Sequence, residues 1–130
     1  MVALVLVSHS PRLAEGVAEL LSELGTDEVH VRLAAGTADG RLGTDPLAVE
    51  DAIRAADSGD GVVVLPDLGS AMLSVKIALD ELDDGVLEQV RLVDAPFVEG
   101  AVAAAVTAAS GADLTAVVAS AEHARTIPKF

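Results

Sequence analysis

The chain opens with an aliphatic run, Val2 to Val7, that stops abruptly at Ser8-His9-Ser10-Pro11. A run this short and this apolar suits a strand buried on both faces, as in a parallel sheet covered by helices. Ser10 is a good N-cap and Pro11 a good first helical residue, so a helix begins at once. The imidazole of His9 therefore falls at the carboxyl edge of a sheet, where ligands of open α/β folds bind.

The rest of the chain repeats the alternation. A helix is predicted from Pro11 to Leu24, with Gly25 as its stop and an apolar stripe of Leu13, Val17, Leu20, Leu21 and Leu24. Glu28 to Leu33 reads as a strand near a sheet edge, with Val29, Val31 and Leu33 alternating with polar residues. A loop from Ala34 to Asp45 carries Gly36, Gly40 and Gly43, and a helix follows from Pro46 to Ala56. Gly61 to Leu65 is a buried strand that ends in Pro66-Asp67-Leu68-Gly69-Ser70 before a helix from Ala71 to Leu82. Val90 to Val93 is the fourth strand, and Phe97 to Ala109 and Asp113 to His123 are the last helices.

Such βα units imply an α/β fold, a three-layer sandwich around a mainly parallel sheet with right-handed crossovers. The expected strand order is 2-1-3-4, with room for an extra antiparallel edge strand. That order sets the ends of strands one and three side by side at the switch in direction. His9, the Asp67–Ser70 turn and the glycine loop then converge on one edge. Residues 1–130 read as one domain.

Composition narrows the function classes. The core must be aliphatic, because Phe97 and Phe130 are the only aromatic residues, and without cysteines there are no disulfides or thiolate metal sites. With 8 basic and 21 acidic side chains the net charge is −13. Such a surface repels phosphate backbones and anionic lipid, which argues against nucleic-acid and membrane partners. No basic leader precedes the first apolar run and no stretch is long enough to cross a bilayer, so a cytoplasmic location is expected.

A neutral imidazole is a competent nucleophile near pH 7 when one nitrogen is unprotonated and faces outward. A carboxylate on the other nitrogen fixes the tautomer, and Asp67 is the natural candidate. If the group transferred is phosphoryl, the site must also cradle a dianion. Backbone N–H groups of Gly69 and Ser70 at a helix start suit that task. The hydroxyls of Ser8 and Ser10 and the Gly36–Gly43 backbone, Thr37 included, could add donors. Against these readings, Asp67 could simply cap the turn, the glycines could be plain turn residues, and Arg12 could face water. His30 and His123 read as solvated, and Asp80, Glu81, Asp83 and Asp84 as a solvated helix end.

Several blocks together carry a resemblance. Val5-Leu6-Val7-Ser8-His9-Ser10 with Leu13-Ala14-Glu15-Gly16-Val17, the stretch Gly36 to Thr44, and Ala56-Asp57-Ser58-Gly59-Asp60-Gly61-Val62 are three of them. Asp67-Leu68-Gly69-Ser70-Ala71 and Val93-Asp94-Ala95-Pro96-Phe97-Val98-Glu99-Gly100 complete the set. In this order they resemble the DhaM family, the phosphocarrier subunits of phosphoenolpyruvate-dependent dihydroxyacetone kinases. That family is similar to the IIA domains of mannose-type phosphotransferase systems.

The resemblance implies a homodimer and a phosphotransferase subunit of the phosphoenolpyruvate–glycerone type. His9 would accept phosphoryl from phospho-HPr and pass it to ADP held on DhaL, while DhaK holds dihydroxyacetone. No cofactor is bound tightly; ADP and ATP reside on DhaL. By the same resemblance Asp67 pairs with the active histidine and Ser70 hydrogen-bonds the phosphate. Pro66 departs from the family pattern, and members with fused HPr and enzyme I-like domains are longer. Two other readings of the His9 edge stay open on the residues alone. One is a small metal chelatase with His9 as ligand, which lacks evident co-ligands. The other is a receiver phosphorylated on Asp67, which would want an acidic pair where Ser8-His9 stands.

Overall fold

The computed structural model describes residues 1–130. Its elements run β1 (Ala3–Ser8), α1 (Pro11–Glu23), β2 (Val31–Ala35), α2 (Pro46–Ala56), β3 (Val62–Pro66) and α3 (Ala71–Asp80). They continue with α4 (Asp84–Leu87), β4 (Val90–Leu92), α5 (Phe97–Ala109), α6 (Leu114–His123) and a 3₁₀ turn (Ala124–Thr126). The four strands are ordered β2-β1-β3-β4 and every pairing is parallel. The expected order 2-1-3-4 is therefore the observed one. The sheet stops at four strands, without the antiparallel edge strand for which the sequence left room.

The alternation of side chains along the strands builds two aliphatic cores. Leu4, Leu6, Val63 and Leu65 face α1, α5 and α6, whereas Val5, Val7, Val62 and Val64 face α2 and α3. Removing a leucine or valine of this kind from water stabilises the fold by roughly 1.5–3 kcal/mol. Because both faces of β1 and β3 are covered, their residues from Ala3 to Val7 and from Val62 to Leu65 are all buried. The carboxyl edge of these two strands is then the place where polar chemistry can begin.

Three local expectations need correction. The second strand is displaced from Glu28–Leu33 to Val31–Ala35, because Val29 N–H closes a turn onto the Thr26 carbonyl (3.0 Å). Thr26 itself is buried, its hydroxyl donating to the Leu21 carbonyl at 2.6 Å, and this ties the end of α1 to the turn. On α1 the buried residues are Ala14, Val17 and Leu21, while Leu13, Leu20 and Leu24 stay more than two-fifths exposed. At 100° per residue those three leucines fall on a flank of the helix instead of on its sheet-facing stripe. Finally, α3 ends at Asp80, and the short α4 follows, capped by the Asp83 carboxylate accepting from Val86 N–H at 3.1 Å. One member of the acidic run is thus a helix cap.

Pro66 closes β3 without cost to the ladder. The next residue, Asp67, donates its N–H to the Val7 carbonyl at 2.9 Å, so the Pro66 nitrogen faces the β4 side. The β3–β4 register has already ended there at Val64 opposite Leu92. A residue lacking an N–H is tolerated where no acceptor awaits it.

Candidate active site

The end of β1 delivers Ser8 and His9, and the end of β3 delivers Asp67, to adjacent positions. The register that pairs Val7 with Pro66 makes this unavoidable, since each strand then continues one step further. His9 Nδ1 lies 2.9 Å from Asp67 Oδ1, and the side chains are 27% and 6% exposed. A carboxylate accepts, so Nδ1 carries the proton and Nε2 presents a lone pair outward. Ser70, at the start of α3, places its hydroxyl 2.9 Å from Nε2, where it donates to that lone pair. The ring is gripped at both nitrogens by residues of one turn.

Asp67 accepts four hydrogen bonds. Oδ2 receives the Ser8 hydroxyl at 2.9 Å and the His9 N–H at 3.0 Å. Oδ1 receives His9 Nδ1–H at 2.9 Å and the Leu68 N–H at 2.7 Å. Burial alone pushes this carboxyl's pKa up. The donors from His9 backbone, His9 ring, Ser8 and Leu68 outweigh burial and hold it below its ordinary 3.8. Asp67 is therefore a buried, permanently anionic partner for the imidazole at neutral pH.

The glycine loop braces this arrangement from below. Gly36 N–H donates to the Ser8 carbonyl (3.1 Å) and Gly43 N–H to the His9 carbonyl (2.9 Å). Gly36 has φ +77, and a Cβ there would stand 2.8 Å from Pro11 Cγ, so only glycine lets the loop lie against the start of α1. Thr37 N–H donates to the Arg41 carbonyl (2.9 Å), and its hydroxyl donates to the Asp39 carboxylate. The amides of Gly36 and Thr37, expected among the phosphate donors, are thus engaged in holding the loop together.

Ser10 caps α1, its hydroxyl oxygen accepting from Leu13 N–H at 3.2 Å, and its own N–H donates to Ser8 Oγ at 3.1 Å. By contrast the N–H groups of Gly69 and Ser70 meet no protein acceptor, and both residues are exposed on the turn that carries the Ser70 hydroxyl. Arg12 is exposed on α1 and forms no ion pair, and His30 and His123 are exposed as expected. Ser8 was a candidate phosphate donor; its hydroxyl is instead fully buried and turned to Asp67. The signal for that role was a serine closing an otherwise aliphatic buried strand.

A cleft of about 250 Å³ adjoins the site between the ends of β3 and β4, lined by Asp67, Leu68, Met72, Leu92, Asp94 and Glu122 among others. His9 lines neither this cleft nor the other four of the molecule, and its side chain is 27% exposed. A reactive atom so placed is suited to meeting a group carried by another macromolecule, since no pocket encloses a small substrate around it. The geometry also bears on the two other readings. No group of three potential ligands is arranged to hold a metal ion. Asp67, with both oxygens taken by donors, is poorly disposed to attack phosphorus itself.

A buried carboxylate on Nδ1 of a histidine and a serine hydroxyl on its Nε2 thus meet at the sheet edge of an α/β fold, the arrangement expected of a histidine nucleophile. The family model described as the fructose IIA component of the phosphotransferase system matches residues 3–118, and the chain belongs to that family. Within it, the chain is homologous to phosphoryl donor subunits named DhaM. A Listeria innocua PEP-dependent dihydroxyacetone kinase 2 phosphoryl donor subunit DhaM is 44% identical over 82% of this chain and 85% of its own length. The Escherichia coli K12 DhaM is 47% identical over 95% of this chain, and the Pantoea ananatis DhaM 49% over 91%. This chain spans only 27% and 26% of those two relatives. The crystal structure of EF1359, a protein of unknown function, superposes with TM-score 0.86 at 40% identity, covering 94% of this chain and 93% of that one.

Proposed function

We propose that the chain is the phosphohistidine carrier of a phosphoenolpyruvate-dependent dihydroxyacetone kinase system. The observation that carries this reading is the tautomer lock: Asp67 on Nδ1 leaves Nε2 as the outward nucleophile, 2.9 Å from the Ser70 hydroxyl. The names borne by the relatives supply the system. Phospho-HPr is the donor. The Nε2 lone pair forms a bond to phosphorus as the N–P bond of the donor histidine breaks. The Nδ1 proton stays in place, and the positive charge of the ring is met by Asp67. In the second step ADP held on a DhaL subunit attacks phosphorus, the Nε2–P bond breaks and the lone pair returns to the ring. DhaK holds the dihydroxyacetone that the regenerated ATP phosphorylates.

The phosphate oxygens are received by the Ser70 hydroxyl, the Gly69 and Ser70 amides and the Ser10 hydroxyl proton, with no cofactor or metal required. Gly36 and Thr37 act through the loop that holds Ser8 and His9. No helix is long and apolar enough to cross a membrane, and the system proposed is cytoplasmic. We also assign a homodimer, with the α1–α5 layer as its contact face. Leu13 and Leu20 of α1, Leu24 at its C-cap, and Val98 and Val106 of α5 are at least 36% exposed there. A chain of net charge −13 meets a copy of itself most readily through uncharged residues.

Incubation with phosphoenolpyruvate, enzyme I and HPr, followed by intact-mass analysis, tests the carrier. One acid-labile, base-stable phosphoryl group is expected, absent in His9→Ala. No adduct with donors proven active on another IIA protein, or an adduct retained in His9→Ala, overturns the reading.

A further inference from the structure

We infer that Ser8 is a positioning residue for the reactive histidine: its buried hydroxyl sets the rotation of the Asp67 carboxylate and so fixes which nitrogen of His9 is nucleophilic. The inference rests on His9 being the phosphoryl acceptor, but its first measurement does not.

Ser8 is the last residue of β1 and has no solvent exposure. Its hydroxyl has a defined direction of donation, because its oxygen already accepts the Ser10 N–H at 3.1 Å and its proton goes to Asp67 Oδ2 at 2.9 Å. One hydroxyl therefore joins three structural pieces. These are the end of β1, the start of α1 at Ser10, and the carboxylate that follows β3.

A carboxylate beyond a strand end can roll about its terminal torsion, which is broad and roughly two-fold. Roll would exchange the bond to Nδ1–H for a less direct contact. Two donors from one side of the chain oppose it on Oδ2: the Ser8 hydroxyl and the His9 N–H at 3.0 Å. The His9 N–H is a backbone group that no side-chain substitution removes. Ser8 is thus the side chain, other than His9, that both touches Asp67 and can be altered. With Oδ2 pinned, Oδ1 is left to the Leu68 N–H and the His9 ring.

Burial makes the hydroxyl consequential. A buried donor lost from a charged acceptor removes an interaction of the stronger class, and the Ser10 N–H loses its acceptor at the same time. Nothing on the exposed side of the site duplicates either bond. Ser8 is fully buried, so its hold on the His9 ring runs through Asp67, while its bond to the Ser10 N–H ties in the start of α1.

The test uses Ser8→Ala, the nearly isosteric Ser8→Cys and the hydroxyl-retaining Ser8→Thr, in the full chain. Nitrogen-15 spectra of the His9 ring, taken without any phosphoryl donor, read the tautomer directly. Wild type should be overwhelmingly Nδ1-protonated. Ser8→Ala and Ser8→Cys should give a mixture, and Ser8→Thr should restore the wild-type pattern. Phosphorylation by phospho-HPr should slow about tenfold in the first two variants and recover in the third. A wild-type tautomer together with wild-type transfer in a folded Ser8→Cys protein overturns the inference. If HPr phosphorylates no variant, wild type included, the carrier reading fails, and the spectra still decide the role of Ser8.

Discussion

At the scale of single residues, the site is governed by a division of labour between the two edges of one imidazole. Asp67 serves one nitrogen and Ser70 the other, and neither can substitute for its counterpart. Replacing Asp67 by Asn keeps the shape but turns an acceptor oxygen into a donor amide facing donors. Transfer from phospho-HPr should fall by about 10²-fold or more, with the fold retained by circular dichroism. Normal transfer in that variant would refute the orienting role. Ser70→Ala removes only one hydroxyl from Nε2 and should cost about tenfold, roughly the 1.4 kcal/mol worth of one hydrogen bond.

The lowered pKa of Asp67 also gives stability a pH signature. A carboxyl depressed on folding contributes stability above its unfolded pKa and loses it as pH falls through the lower folded value. Denaturant unfolding should therefore show wild type more stable than Asp67→Asn at pH 7. The gap should narrow as pH drops below the ordinary carboxylate value of 3.8. A gap that stays constant down to pH 2 would mean the carboxylate's charge contributes nothing to folding.

At the scale of elements, the glycine loop is where backbone conformation and chemistry meet. Gly36→Ala places a Cβ at positive φ and within 2.8 Å of Pro11, so the loop must shift or α1 must back away. We expect a loss of about 2–3 kcal/mol in denaturant unfolding, from strain plus overpacking. Gly40, also at positive φ but with open space around it, should cost only the conformational part, about 1 kcal/mol. Equal losses at the two positions would show that contact with Pro11 is unimportant.

The sequence carried the elements that matter to the site with little ambiguity. The aliphatic run before Ser8, the cap at Ser10 and the Asp67–Ser70 turn each announce themselves by local chemistry. What escaped was set by tertiary context. Thr26 draws the turn after α1 into the core through the Leu21 carbonyl, and this delays β2 by three residues. Similarly, a heptad-like scatter of leucines on α1 does not say which of them meet the sheet, because that depends on how the helix rolls against Leu4 and Leu6. The direction of the Ser8 hydroxyl was unreadable for the same reason: its acceptor lies 59 residues away.

At the scale of the whole molecule, two properties follow from what remains on the outside. An excess of 21 acidic over 8 basic side chains repels itself across the surface, with few ion pairs to relieve it. Raising KCl from about 0.05 to 0.5 M shortens the Debye length severalfold and should raise the unfolding temperature. A falling temperature would show that the ion pairs present outweigh the repulsion. The exposed leucines of α1 give the second prediction. If the proposed homodimer forms through this face, Leu20→Glu, at a position 42% exposed, should leave the fold intact while giving a monomer where wild type sediments as a dimer. A variant that remains dimeric would move the contact elsewhere.

The four donors on Asp67 have one more consequence, and it concerns time. A phosphorylated histidine is exposed to water for as long as it waits for its acceptor, and a nearby free carboxylate could act as the base that activates that water. Here the one buried carboxylate of the site is turned to the far nitrogen of the ring, and all four of its contacts are already made. On the carrier reading, the carboxylate that arms Nε2 is thereby kept from acting as a base on the phosphoryl side, so the charged form should leak slowly and be discharged by encounter instead of by solvent.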